Sequence, residues 1–270
     1  MFNQVTLYNL NNYLFDLGGV AKKVTNFILH NERVSCLRKN TELVNSVNNS
    51  KKIYLCALGP SLKWVDLNRI EGDTIVVNRF YKFGINYPNF VPTYYAMIDY
   101  AFAEDRNRTD FIDALNMYLP KGTKFLLNSK LMDTDILEPY DKKNIYFLSC
   151  YGGQMHGKKR YKLNKVFPAF QNVTGAAILS AMLMGYKEIV LLGCDFNAFA
   201  SPVMNHCYKD QSEAKLRKMT YELFFSSFMA KNHDDLQEYA EKNGILIRNS
   251  TKGSLIDAYP IDIEEKLYFE

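Results

Sequence analysis

The sequence predicts an α/β protein: a Rossmann-like, mainly parallel sheet with helices on both faces, a helical N-terminal extension and a lid region. Two observations carry that prediction. From residue 51 onward short apolar runs alternate with helical patterns, as successive βαβ units require. Two of those runs also end abruptly in polar, glycine-bearing loops, Gly59-Pro60-Ser61 and Gly193-Cys194-Asp195. A parallel sheet presents its ligands at the carboxyl ends of its strands, and bared N–H groups with a hydroxyl suit a phosphate.

Residues 1–50 read as the helical extension, with Leu7, Leu10, Tyr13, Leu14 and Leu17 at helical spacing and Val24, Phe27 and Ile28 continuing after Gly18-Gly19. That stripe is expected to dock on the protein's own core, and the Asn-rich stretch 45–50 to act as a connector. Residues 51–270 read as one Rossmann-like catalytic domain. Its strands are expected at 53–58, 74–78, 93–98, 124–127, 144–148, 188–193 and 245–248, each a short apolar run. Helices are expected at 101–118, at 175–186 and over 211–243 with a break near Asn232-His233, Gly244 capping the last. Residues 149–172 and 197–212 lack periodicity and sit beside strand ends, where binding loops concentrate.

The 270 residues, 47% hydrophobic, suffice for one large core, and the net charge of +4 is mild. Basic residues cluster only at Lys158-Lys159-Arg160 with Lys162 and Lys165, too sparse for a nucleic-acid footprint. No nucleic-acid partner is expected. The five cysteines are odd in number and lack metal-ligand spacing with a histidine, so neither a disulfide framework nor a zinc site is implied. The N-terminus shows no signal pattern, and no run nears the roughly 18 apolar residues of a membrane span. The expected location is cytoplasmic, with work at the inner membrane face and homo-oligomerisation left open.

Five polar strand ends or helix entries converge on one sheet edge: Gly59-Pro60-Ser61, Asn78-Arg79, Asp99, Thr174-Gly175 and Asp195. One such end is routine; five make a ligand crevice. Asn205-His206-Cys207-Tyr208 follows Asp195, placing beside the crevice an imidazole suited to taking a proton. His233, flanked by Asp234 and Asp235, reads as an N-terminal helix residue, and His30 and His156 lie in less organised stretches. No G-x-S-x-G elbow, H-E-x-x-H or Walker loop is present, so serine hydrolase, zincin and P-loop kinase readings have no support.

The order of these segments resembles the bacterial sialyltransferases of glycosyltransferase family 42. Gly-Pro-Ser-Leu follows the first strand and Asn78-Arg79-Phe80-Tyr81 the second. Thr174-Gly175 opens a helix, Gly193-Cys-Asp-Phe196 ends a later strand, and Asn249 to Ile256 closes the pattern. The chain is also similar to a looser Rossmann-like set that includes MptE-like pterin pyrophosphokinases and flagellin glycosyltransferases.

The resemblance covers about residues 51 to 260. It implies that Gly59, Pro60 and Ser61 meet the nucleotide phosphate and ribose, Asn78 the nucleotide or donor sugar, and Thr174 and Gly175 the donor; Arg79, beside Asn78 at the strand end, is expected to bind the donor from its own suitability for ribose hydroxyls or phosphate. It implies that Asp195 holds the cytidine side and that His206 is the base. Three positions depart: Leu58 and Asp99 stand where asparagines are usual, and Asn197 where a leaving-group tyrosine is expected, a role Tyr208 could take.

The implied reaction is a single inverting displacement, moving a sialic- or Kdo-type sugar from a CMP donor to a lipopolysaccharide, capsule or O-antigen acceptor. No cofactor or metal is expected, because the Asp-x-Asp triplet Asp133-Thr-Asp135 reads as a solvent-facing loop and not as a cation site, and a phosphate with a second pKa near 6 leaves readily. Two alternatives stand beside it. One is an MptE-like diphosphotransferase using ATP and magnesium on Asp99 and Asp195; the other is a non-catalytic nucleotide-binding protein of a glycan assembly complex.

Overall fold

The computed structural model describes residues 35–44, 46–47, 51–150, 154–201, 205–209 and 218–269. Seven strands form one sheet: β1 (Lys52–Cys56), β2 (Asp73–Val77), β3 (Tyr94–Met97), β4 (Lys124–Asn128), β5 (Ile145–Leu148), β6 (Glu188–Leu192) and β7 (Leu246–Asn249). Their order is β5-β4-β3-β2-β1-β6-β7, and every neighbouring pair is parallel. All seven lie within two residues of the sequence expectation. The chain therefore runs outward from β1 to β5 and crosses back to β6, which puts the topological switch point between β1 and β6.

Successive side chains alternate faces, so each strand feeds two cores. Ile53, Leu55, Ile75, Val77, Ile189 and Leu191 pack on one face. Tyr54, Cys56, Val76, Tyr95, Val190 and Leu192 pack on the other. Burial on both sides explains why the strands read as continuous apolar runs. The first face is covered by α3 (Val173–Met184) and α4 (Met219–Lys242), the second by α1 (Tyr81–Gly84), α2 (Asp105–Tyr118) and short 3-10 turns. Helix α3 is apolar on all sides because it lies between the sheet and α4.

Two helix expectations are corrected. Residues 101–118 are split into a 3-10 turn, Tyr100–Ala103, capped by Asp99, and then α2. Helix α4 runs unbroken through Asn232-His233, because those residues belong to its buried face and not to a helix start. It ends as expected, with Gly244 at a φ of +59 that favours glycine. The apolar stripe of residues 7–28 lies outside the described residues. From the N-terminal extension, Cys36–Leu43 forms a 3-10 helix whose Asn40 amide donates to the carbonyls of Phe147 and Leu163, at 2.7 and 2.9 Å. Among the described residues no helix is long and apolar enough to cross a membrane.

Candidate functional site

A cavity opens at the carboxyl edge of the sheet, over the switch point. Its walls are the loop after β1 (Ala57 to Gly59), Asn78 after β2, the α3 entrance (Asn172 to Thr174) and the loop after β6 (Gly193 to Ala198). Asn205, His206 and, from α4, Met229 and His233 complete it. A second cavity adjoins it over β3 and β4, lined by Asp99, Asn128, Lys130 and Gln171. Asn78, Asn172 and Val173 line both.

Asn78 is the hinge of this arrangement. Its φ of +46 is a left-handed conformation that asparagine tolerates better than most residues. The backbone is locked there, since its N–H donates to Ala96 (2.9 Å) and its carbonyl accepts the Tyr95 hydroxyl (2.7 Å). Its side-chain Oδ1 is buried and, among the described residues, has no hydrogen-bond partner. Such a group is costly unless a ligand or water supplies a donor.

The β1 and β6 loops are tied together. Gly59 donates its N–H to Gly193 (2.8 Å), while Ser61 donates its N–H to Asp195 Oδ1 (3.1 Å) and its hydroxyl to Oδ2 (2.7 Å). Burial raises the Asp195 pKa, and the two Ser61 hydrogen bonds oppose that shift. From behind, Thr251 Oγ1 accepts from Cys194 N–H (3.0 Å), Ser254 donates to the Cys194 carbonyl (2.7 Å), and Leu255 N–H donates to the Asp195 carbonyl (2.9 Å).

Of the expected phosphate loop, only Gly59 lines the cavity. The 3-10 turn Pro60–Trp64 folds back, so Ser61 spends both its donors on Asp195 instead of facing the crevice. Arg79 also turns away, its guanidinium donating to Asp110 (2.6 Å) and Asn107 (2.7 Å), where Tyr81 and Lys82 also bind Asp110. It clamps α1 to α2.

Thr174 lines the first cavity. Gly175 gives its N–H to the Asn172 cap (2.9 Å), and a Cβ there would sit 2.5 Å from the Phe170 ring, so its lack of a side chain serves packing. Asn197 lines the first cavity and Asp99 the second.

The His206 loop is pinned by Cys207, whose N–H donates to the Leu58 carbonyl (2.9 Å) and whose thiol burial pushes up to about 12. His206 stacks on Tyr208, with ring centroids 5.1 Å apart and planes 22° apart, and Lys82 lies over the Tyr208 ring at 5.7 Å.

His233 is not an N-terminal helix residue. It lies well inside α4, 2% exposed, with Nδ1 2.9 Å from the Tyr259 hydroxyl and the rings of Phe196 and Tyr259 edge-on against it. Burial lowers its pKa to about 4.

A stability prediction follows from that value. Unfolded histidine takes a proton near 6.5 and the folded ring only near 4, so between these values the unfolded state binds more protons and stability falls as pH falls. The full effect is about 3 kcal/mol. Asp195 and Asp234, both raised by burial, act in the opposite direction, so the comparison is with a non-titrating variant. Denaturant melts at pH 7, 5.5 and 4.5 should show wild type losing stability relative to His233→Phe. A constant difference would show that the ring titrates normally.

Sequence reasoning missed Asn172, Asn128, Lys130, Gln171, Asn205 and His233 as cavity residues. Asn172 carried a readable signal, an asparagine three residues before the N–H it caps. Asn128 and Lys130 end or follow β4 and obey the same strand-end rule as Asp99.

No protein-family model and no curated protein matches the chain. Solved structures do. The monofunctional alpha-2,3-sialyltransferase Cst-I of Campylobacter jejuni matches with a TM-score of 0.50 and 14% identity, over 84% of this chain and 85% of its own. The sialyltransferase CstII of the same organism, in complex with the substrate analogue CMP-3FNeuAc, matches with a TM-score of 0.49 and 15% identity, over 81% of this chain and 88% of its own. The likeness to Cst-I is one of fold. It agrees with the parallel, doubly covered sheet.

Proposed function

We propose that the chain is an inverting glycosyltransferase that moves an acidic sugar of sialic or Kdo type from a CMP-activated donor to a surface-glycan acceptor. The observation that carries this reading is the pair of adjoining cavities joined at Asn78, whose buried Oδ1 has no partner among the described residues. A two-part ligand, nucleotide joined to sugar, suits such a cleft better than a compact one. The cleft lies at the switch point, where nucleotides bind open α/β sheets. The chain shares its fold with Cst-I, itself a sialyltransferase.

In this mechanism His206 takes the acceptor hydroxyl proton as the acceptor oxygen bonds to the anomeric carbon, and the bond from that carbon to the phosphate oxygen breaks, its electron pair leaving with CMP. Tyr208, stacked on the imidazole, orients it. The magnesium-dependent diphosphotransferase alternative needs Asp99 and Asp195 together. They line different cavities, and both Asp195 oxygens already accept from Ser61. Among the described residues no three acidic, histidine or cysteine side chains gather as a metal site would require.

Calorimetry separates the two chemistries. CMP should bind more tightly than UMP or AMP, with EDTA leaving both binding and transfer unchanged. Tight ATP with magnesium and silent CMP would discard the glycosyltransferase reading.

A further inference from the structure

We propose that His233 is a neutral hydrogen-bond donor, its tautomer fixed by Tyr259, that presents Nε2–H to an anionic oxygen of the ligand in the first cavity. The inference names a positioning residue for the site described above and rests on the CMP-donor reading only for the identity of the oxygen, a phosphate or a sugar carboxylate.

The tautomer comes from Tyr259. That phenol is 2% exposed and, because burial raises its pKa, keeps its proton. A buried O–H must donate, and Nδ1 of His233 stands 2.9 Å away. If Nδ1 instead carried the proton and donated to the phenol oxygen, the phenol hydrogen would be left buried without an acceptor. Tyr259 therefore donates, Nδ1 accepts, and the neutral ring bears its hydrogen on Nε2.

The direction comes from the cavity. The ring lines the first cavity, as do Phe196, Met229 and His206, and it packs edge-on with Phe196. Among the described residues Nε2 has no hydrogen-bond partner, so its donor is offered to whatever occupies the space. Two aromatic edges hold the ring and leave it little freedom to turn.

The charge state supports the same role. Burial holds the imidazole neutral well below physiological pH, and the nearby carboxylates do not reverse this: Asp234 is itself pushed toward its neutral form, and Asp235 is paired with Lys231 at 2.5 Å. A neutral donor polarises an oxygen without contributing a full charge, a task distinct from the proton acceptance assigned to His206.

Two measurements test the proposal. Histidine ¹⁵N NMR of the full chain should show His233 with a protonated Nε2 and an unprotonated Nδ1, unchanged from pH 5.5 to 8.5, and Tyr259→Phe should abolish that fixed pattern. An Nδ1–H tautomer in wild type overturns the proposal.

The second uses the double variant His233→Phe with Tyr259→Phe, which removes both hydrogen-bonding partners and keeps an aromatic pair in the core. By calorimetry its affinity for CMP should fall about tenfold or more, as for a lost hydrogen bond to a charged group, while cytidine binding holds. If cytidine binding holds and the acidic sugar alone, added as N-acetylneuraminate, loses affinity, the oxygen is the carboxylate and the donor role stands. Unchanged affinity for both anions in a variant of wild-type melting temperature overturns it. Wild type silent toward CMP removes the CMP reading instead; the donor is then read by titrating the Nε2–H resonance with inorganic phosphate, and an unmoved resonance overturns the assignment.

Discussion

His206→Ala is expected to lower turnover by about 10²- to 10⁴-fold, the usual worth of a positioned base, while leaving CMP affinity close to wild type. The imidazole lines the first cavity and the loop that carries it is pinned through Cys207 to Leu58, so the ring is placed by backbone contacts that the alanine retains. Melting temperature should stay near that of wild type, because the ring is only half-buried and its stacking partner Tyr208 remains packed near Lys82. His156→Ala, which changes a histidine outside both cavities, should leave turnover intact. Near-wild-type turnover in a folded His206→Ala would remove the base assignment and leave the loop after β6 as a cover.

What the sequence revealed and concealed divides along sequence distance. The strands were legible because each is buried on both faces and so reads as an unbroken apolar run. Their carboxyl ends were legible as a cleft because in a parallel sheet they all fall on one edge. The helix break was misread because Asn232-His-Asp-Asp235 has the composition of a cap. In the fold, Asn232, His233 and Asp235 are all buried on α4, and the partner that makes a buried histidine tolerable, Tyr259, lies 26 positions away. The pairing of Ser61 was hidden for the same reason. A serine after a glycine-proline turn looks like a phosphate ligand until Asp195, 134 positions on, takes both its donors. Arg79 likewise answers Asp110 on α2, a pairing that no local pattern announces.

Gly59→Ala is expected to cost about 3 kcal/mol or more, combining overpacking with the loss of a buried hydrogen-bonded pair. The reason is not backbone freedom, since its φ of -62 and ψ of 156 suit any residue. It is close approach: a Cβ there would lie 1.9 Å from Asp195 Oδ2 and 2.5 Å from the Gly193 carbonyl oxygen. Neither neighbour can retreat cheaply. The carboxylate is held by two bonds from Ser61, the Asp195 carbonyl accepts from Leu255, and the Gly193 carbonyl accepts from Gly59 itself. The added methyl therefore pushes the β1 and β6 loops apart at the floor of the first cavity, so ligand affinity should fall with stability. Denaturant unfolding of Gly59→Ala, Asp195→Ala and the double variant separates the contributions. If the carboxylate is the main obstacle, the double variant should be more stable than the sum of the single losses allows. Strict additivity would assign the clash to the Gly193 carbonyl alone, and a Gly59→Ala chain as stable as wild type would mean that the two loops do not meet as closely as the fold places them.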